Sequence, residues 1–225
     1  MSALSNTLNT NMIENPIRRE SISKDTGVLT DIYNEDINIA IWQNDISDEV
    51  IKNINQLMLD AKHLNVRMTI ASSDIAKTLL ESVDDLKNKN ALCNYIELLG
   101  DMFCTLFELK RVGLRLTILN QAMCPKFHVD KVPCRLVTTL SGVGTEWLPN
   151  NLVDRTKLGA GSLGKPDEIS GIVKNNQAIK QASTGDVVLL KGENWFDNEN
   201  GGVVHRSPSL LENTRRLLLT LDFSD

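Results

Sequence analysis

The chain has 225 residues, 41% hydrophobic and 24% charged, an ordinary globular composition long enough to bury one substantial core. Its net charge of −5 and sequence pI of about 5.3 exclude a global attraction for phosphate backbones, so nucleic acid is not an expected partner. No stretch approaches the roughly 18 uninterrupted apolar residues of a membrane span, and Met1 to Thr10 is polar without an apolar run, so neither a membrane nor a signal peptide is expected and the compartment expected is the cytoplasm.

Residues 1–35 are rich in Asn, Ser, Thr and charge and read as a flexible or loosely docked arm. Ile37, Ile39 and Ile41 then alternate with Asn38, Ala40 and Trp42, a strand signal. Ser47 before Asp48 and Glu49 reads as a helix cap, with carboxylates on the positive helix end. Val50, Ile54, Leu57, Met58 and Ala61 follow at helical spacing, and Val66 to Ile70 reads as a short strand. Ser73 and Asp74 open a second helix with Ile75, Ala76, Leu79, Leu80 and Val83 inward. After the polar break Asp84–Asn90, a more apolar helix carries Leu92, Tyr95, Ile96, Leu99, Met102, Phe103, Leu106 and Phe107, with Gly113 as its expected stop.

Beyond Gly113 the pattern turns to strands. Leu114, Leu116 and Ile118 alternate with Arg115, Thr117 and Leu119. Arg135 to Leu140 is β-prone, Gly185-Asp186 introduces the apolar strand Val187–Leu190, and Arg216 to Phe223 is the last strand. Residues 150–183, with Gly159, Gly161, Gly164 and Gly171, read as a long lid-like excursion. The expectation is an α+β chain: helical support over 45–112 and a β-core over 113–225, together one domain over 36–225.

The chemistry concentrates in His128, Asp130 and His205. Residues i and i+2 of a strand share a face, so His128 and Asp130 project together. His205, 77 positions on (205 − 128), is the expected third ligand, because the remaining histidine, His63, sits at a predicted helix end beside Lys62 and reads as a solvated cap residue. Two imidazoles and a carboxylate on one face of a metal form the facial triad of non-haem iron oxygenases. An isolated His-x-Asp pair equally suits a structural histidine bonded to a carboxylate; the spaced His205, the Gly-Asp-led strand before it and the arginine after it favour a metal. None of Cys93, Cys104, Cys124 and Cys134 forms a CxxC pair, so a structural zinc ribbon is not expected. Cys93 and Cys104 read as buried thiols and Cys134 as packing. Cys124, four positions before His128, reads either as a buried thiol or as an additional ligand suited to zinc or a thiol-dioxygenase-like iron.

The order His-x-Asp, Gly144-Thr145-Glu146-Trp147-Leu148-Pro149, Gly-Asp-strand, His, then Arg216-Leu217-Leu218-Leu219-Thr220-Leu221-Asp222-Phe223 resembles the iron(II)/2-oxoglutarate dioxygenases, in particular their prolyl-hydroxylase-like branch. That resemblance implies a double-stranded β-helix (a jelly-roll, cupin-like core in the C-terminal half), Fe(II) and 2-oxoglutarate as cofactors, and an arginine that forks onto the far carboxylate of 2-oxoglutarate. Strand phase favours Arg216 for that role over Arg215, because Arg216 shares a face with Leu218 and Thr220. Thr145, Lys191 and Trp195 are candidate pocket residues, with turn or core roles as the alternative. Arg206 should point away from the metal and form a structural salt bridge.

A closer resemblance runs from about residue 36. Cys124-Pro125-Lys126-Phe127-His128-Val129-Asp130, the Gly144–Pro149 turn, Lys191-Gly192-Glu193-Asn194-Trp195 and His205-Arg206-Ser207-Pro208 are similar to a bacterial family of unknown function numbered 1826. That likeness brings no established activity. An oxygenase acting on a small-molecule or peptide substrate, a zinc- or nickel-binding protein of metal homeostasis, and a cupin-like iron enzyme without 2-oxoglutarate all stay open at this point.

Overall fold

The structure, a computed structural model, describes residues 17–173 and 175–224. Its strands are β1 (Arg19–Ser23), β2 (Ile37–Trp42), β3 (Asn65–Ile70), β4 (Val112–Leu119), β5 (Cys134–Ser141), β6 (Glu146–Leu148), β7 (Lys180–Gln181), β8 (Val187–Lys191), β9 (Val204–Arg206) and β10 (Arg216–Phe223). The helices are α1 (Asp48–Asp60), α2 (Ile75–Ser82), α3 (Asn90–Leu106) and the short α4 (Asp167–Ser170). A seven-stranded sheet runs β1-β2-β8-β5-β10-β4-β3, and a three-stranded sheet runs β7-β6-β9.

Strand periodicity divides the core into layers. Leu114, Leu116, Leu136, Leu189, Leu217, Leu219 and Leu221 face the helices, joining Leu57, Leu79, Leu92, Ile96, Leu99 and Phe103 in one large cluster. The opposite phase of the same strands, with Ile39, Ile41, Val137, Val188, Leu190 and Leu218, packs against Trp147 and Val203 of the small-sheet side. A third cluster, Phe127, Leu148, Val153, Ile172 and Val204, lies between the small sheet and the excursion. His128 and His205 line a cavity together with Val137, Leu218 and Thr220 of the large sheet.

Several expectations change. The core is not confined to the C-terminal half, because the large sheet takes β1, β2 and β3 from the N-terminal part. Of the arm expected over 1–35, residues 1–16 lie outside the described residues, while β1 pairs in parallel with β2 and Val28, Leu29 and Ile32 are buried on a 3-10 turn, Thr26–Tyr33. A polar average concealed three apolar residues on one side of a turn. Ser47 occupies the N-cap position of α1 but makes no side-chain cap bond, although Asp48 and Glu49 fill the first turn. Gly113 is not the stop of α3; it lies inside β4. The helix ends earlier, in a Schellman arrangement in which Glu108 takes the left-handed position (φ 53) and Leu109 N–H bonds the Cys104 carbonyl at 2.8 Å. Over 150–183 the chain forms 3-10 turns, α4 and β7, with a Val153–Val173 bridge. No helix among the described residues is long and apolar enough to cross a membrane.

Candidate metal centre

His205 lies in β9, and His128 extends the small sheet beyond it. The two residues stand directly opposite in an antiparallel bridge and exchange both N–H···O bonds, each at 3.0 Å. Directly opposed residues send their side chains to the same face, so the imidazoles meet with ring centroids 4.5 Å apart. Asp130, two residues after His128, joins them. His128 Nε2 lies 3.6 Å from Asp130 Oδ1, and His205 Nε2 lies 3.4 Å from Asp130 Oδ2.

These three groups have the chemistry and spacing of one ion's ligands. One donor atom from each falls within 4.8 Å of the others. With metal–ligand bonds of about 2.1 Å, adjacent ligand atoms on a shared ion sit about 3.0–3.4 Å apart, so only a small contraction is required. The imidazoles are already oriented. His128 Nδ1 is 2.9 Å from the Lys126 carbonyl, and His205 Nδ1 is 3.1 Å from the Val203 carbonyl. A carbonyl only accepts, so each Nδ1 carries the proton and each Nε2 lone pair is left for a metal. Three protein ligands leave further coordination positions open.

Arg135 steadies the carboxylate. Its Nη1 donates to Asp130 Oδ2 at 2.7 Å, while Nε and Nη2 fork onto Asp222 at 2.7 and 2.9 Å. Burial opposes ionisation of Asp130, but both histidines and Arg135 outweigh it and hold the carboxyl well below its ordinary range. Burial likewise pulls His128 down, and Asp130 and the Lys126 carbonyl reverse the balance and raise it. Gly192 explains the tight approach of the turn after β8 to this segment: a Cβ there would lie 2.0 Å from the Val132 carbonyl oxygen and 2.8 Å from that of Asp130.

Arg216 closes the other end of the same cavity, about 60 Å³ in volume, which Cys124, Thr145, Thr220 and the two histidines also line. Only 1% exposed, it donates to Thr139 Oγ1 (3.1 and 2.8 Å), Thr145 Oγ1 (2.8 Å) and Ser207 Oγ (3.0 Å). These partners are hydroxyls, and no ion pair is formed by Arg216 among the described residues. Burial pulls its guanidinium down to about 10, against the field of Glu146. A buried cation with neutral partners is costly by several kcal/mol unless an anion joins it.

The remaining candidates divide. Thr145 lines the cavity. Arg215 turns to the helical layer, where its guanidinium bonds the Met58 and Ala61 carbonyls at the end of α1. Arg206 forms the expected salt bridges, with Glu146 at 2.7 Å, Asp167 at 3.1 Å and Glu168 at 3.4 Å. Cys134 is buried in the helix-facing core, and His63 is exposed just beyond α1. Cys124 is exposed rather than buried, and its sulfur is not among the grouped ligand atoms. Lys191 and Trp195 do not line the metal cavity. Lys191 follows Val187 and Leu189 in phase, so it leaves β8 on the other face, where Nζ bonds the Asn34 carbonyl at 3.0 Å and lies 4.7 Å over the Trp195 ring. They border a separate cavity with Arg18, Tyr33 and Glu35.

Sequence reasoning missed Arg135, Asp222, Thr139, Ser207 and Asp167. The strand phase carried a signal for Thr139, which follows Val137 on the cavity face. Asp167 gave none: it reaches in from the excursion to accept the Phe127 N–H at 2.8 Å, next to His128.

Comparison with known proteins agrees with this geometry at the level of fold. The dioxygenase for auxin oxidation 1 of Arabidopsis thaliana, solved with 2-oxoglutarate, superposes with a TM-score of 0.52 at 10% identity, covering 91% of each chain. The rice dioxygenase for auxin oxidation gives 0.51 at 11% identity, over 91% of this chain and 82% of that one. A putative oxygenase from Shewanella oneidensis gives 0.50 at 10% identity, over 91% and 88%. No curated protein sequence matches the chain. The profile of a family described as "protein of unknown function (DUF1826)" matches residues 23–222, and the chain therefore belongs to that family.

Proposed function

We propose that this protein is an iron(II)- and 2-oxoglutarate-dependent oxygenase that hydroxylates, or similarly oxidises, a small-molecule or peptide substrate. The observation that carries the reading is one cavity lined both by His128 and His205, which group with Asp130 as possible ligands, and by Arg216, a buried cation whose side-chain partners among the described residues are hydroxyls. His128, Asp130 and His205 would hold the iron. Arg216, with Thr145 and Thr139 beside it, would take the far carboxylate of 2-oxoglutarate, since a guanidinium fork matches a carboxylate with two parallel bonds. When bound, iron(II) would activate dioxygen, the oxidant; the keto acid would supply two of its four electrons and leave as succinate and carbon dioxide, and the substrate would supply the other two.

The chain's own contribution is positional. The backbone carbonyls of Lys126 and Val203 fix both imidazole tautomers, Arg135 holds Asp130, and the buried inter-sheet walls restrict water. A zinc or nickel storage site leaves the buried charge of Arg216 without a role, and Cys124 is not placed among the ligand atoms to complete a tetrahedral shell.

The test is anaerobic addition of 2-oxoglutarate to iron(II)-loaded protein, followed by visible absorption. A weak charge-transfer band is expected in the wild type. Arg216→Met should retain iron and require much more 2-oxoglutarate to develop the band. Fully metallated wild type without the band would refute the proposal.

A further inference from the structure

The cavity face of the large sheet continues past β10 onto β4 and β3. The inter-sheet cluster takes only Leu119 from β4 and nothing from β3 among the described residues, so the small sheet does not cover this end. Two arginines occupy it. Arg67 of β3 is the direct antiparallel partner of Arg115 of β4. Arg115 is in turn the partner of Thr220 in β10, which lines the metal cavity. Directly paired residues share a face, so Arg67, Arg115 and Thr220 form a row leading to the metal site.

This row carries unbalanced positive charge. Like charges directly opposite across a ladder are destabilising. Arg115 is half-buried, and its side-chain bond is to the neutral Thr117 hydroxyl at 3.2 Å. Asp222, the carboxylate nearby on β10, is already forked by Arg135. Neither Arg67 nor Arg115 forms an ion pair among the described residues. Burial, then the fields of Arg67 and Arg135, pull Arg115 below the ordinary arginine range, against Cys124 and Asp222. Arg216 is a separate cation: its guanidinium is held by Thr139, Thr145 and Ser207, and the four residue steps of β10 from Arg216 to Thr220 span about 13 Å.

We infer that Arg67 and Arg115 form a second anion site, at the mouth of the metal cavity, which receives a carboxylate or phosphate group of the substrate. Calling that anion part of a substrate rests on the oxygenase reading above. The site would hold the molecule by an end remote from the carbon that is oxidised. It would also select against neutral analogues, because two opposed guanidiniums gain most from a fully charged partner.

The test uses metal-free protein at low ionic strength, with arginine Nε–H signals followed by NMR during separate titrations with inorganic phosphate and acetate. The Arg67 and Arg115 signals, assigned by Arg67→Gln and Arg115→Gln, should shift and saturate. The tighter of the two anions identifies a phosphorylated or a carboxylated substrate. Each substitution should weaken binding about tenfold, and the double substitution should abolish it. Thermal unfolding of the variants should match or exceed the wild type, since a repulsion has been removed. The proposal is overturned if neither anion moves these signals, or if the affinity survives in the double variant. Failure here leaves the iron and 2-oxoglutarate band unaffected, and absence of that band leaves these shifts readable, so the two readings fail separately.

Discussion

The two faces of the large sheet are written in the same strands, one residue out of phase, and they differ in kind. The helix-facing side is apolar: Leu114, Leu116, Leu136, Leu217, Leu219 and Leu221. The opposite side of those strands carries Arg115, Arg135, Thr139, Arg216 and Thr220, interrupted by a smaller apolar cluster. The first face supplies stability through contacts that any well-packed hydrocarbon could make. The second spends part of that stability on charges held short of partners, which is the arrangement expected where a ligand completes the balance.

That contrast can be broken from either side. The largest effect should come from His205→Ala, which removes a ligand and should lower metal affinity beyond the ~100-fold that bounds changes around the ligands, read by metal analysis of untagged protein. On the apolar face, Leu219→Ala should cost about 3 kcal/mol in denaturant unfolding, with metal binding preserved in the folded fraction. Arg216→Met should do the reverse: stability of the metal-free protein unchanged or raised by about 1–2 kcal/mol, because a buried charge disappears. A marked loss of stability would show that Arg216 is paid for by the fold and not by a ligand. Asp222→Asn touches no metal ligand, yet by loosening Arg135 it should weaken metal binding about tenfold, with Arg135→Lys no better.

A pH-dependent effect concerns Lys191, on the face away from the candidate metal ligands. Burial first, then Arg18, draws its amine down to about 8 from the ordinary 10.5. The folded chain therefore releases this proton before the unfolded chain does, so its contribution to stability rises with pH between about 8 and 10.5. The wild-type minus Lys191→Met difference in unfolding free energy should rise across that window. A flat difference would mean that the amine titrates normally.

Much of this layout was legible in local pattern. The alternation in Leu114–Leu119 and Arg216–Phe223 placed the right residues on each face, and the same parity separated Arg216 from Arg215. Parity also held the answer for Lys191, which falls in phase with Val187 and Leu189, but its conspicuous Lys-Gly-Glu-Asn-Trp setting suggested a pocket role instead. The Gly113 stop failed because glycine is common past helix ends for its left-handed freedom, and here Glu108 adopts that conformation without it.

By itself, the sequence determined the strand and helix faces, singled out His128, Asp130 and His205 as candidate ligands, and separated Arg216 from Arg215 by strand phase. These follow from repeats of two and 3.6 residues, which are properties of neighbouring positions. Tertiary structure alone decided that His128 bridges His205, that Arg135 joins Asp130 to Asp222, that Arg67 stands opposite Arg115, and that β1 to β3 enter the main sheet. Such choices depend on register between strands far apart in the chain, where many pairings satisfy the same local pattern and only the assembled core selects one.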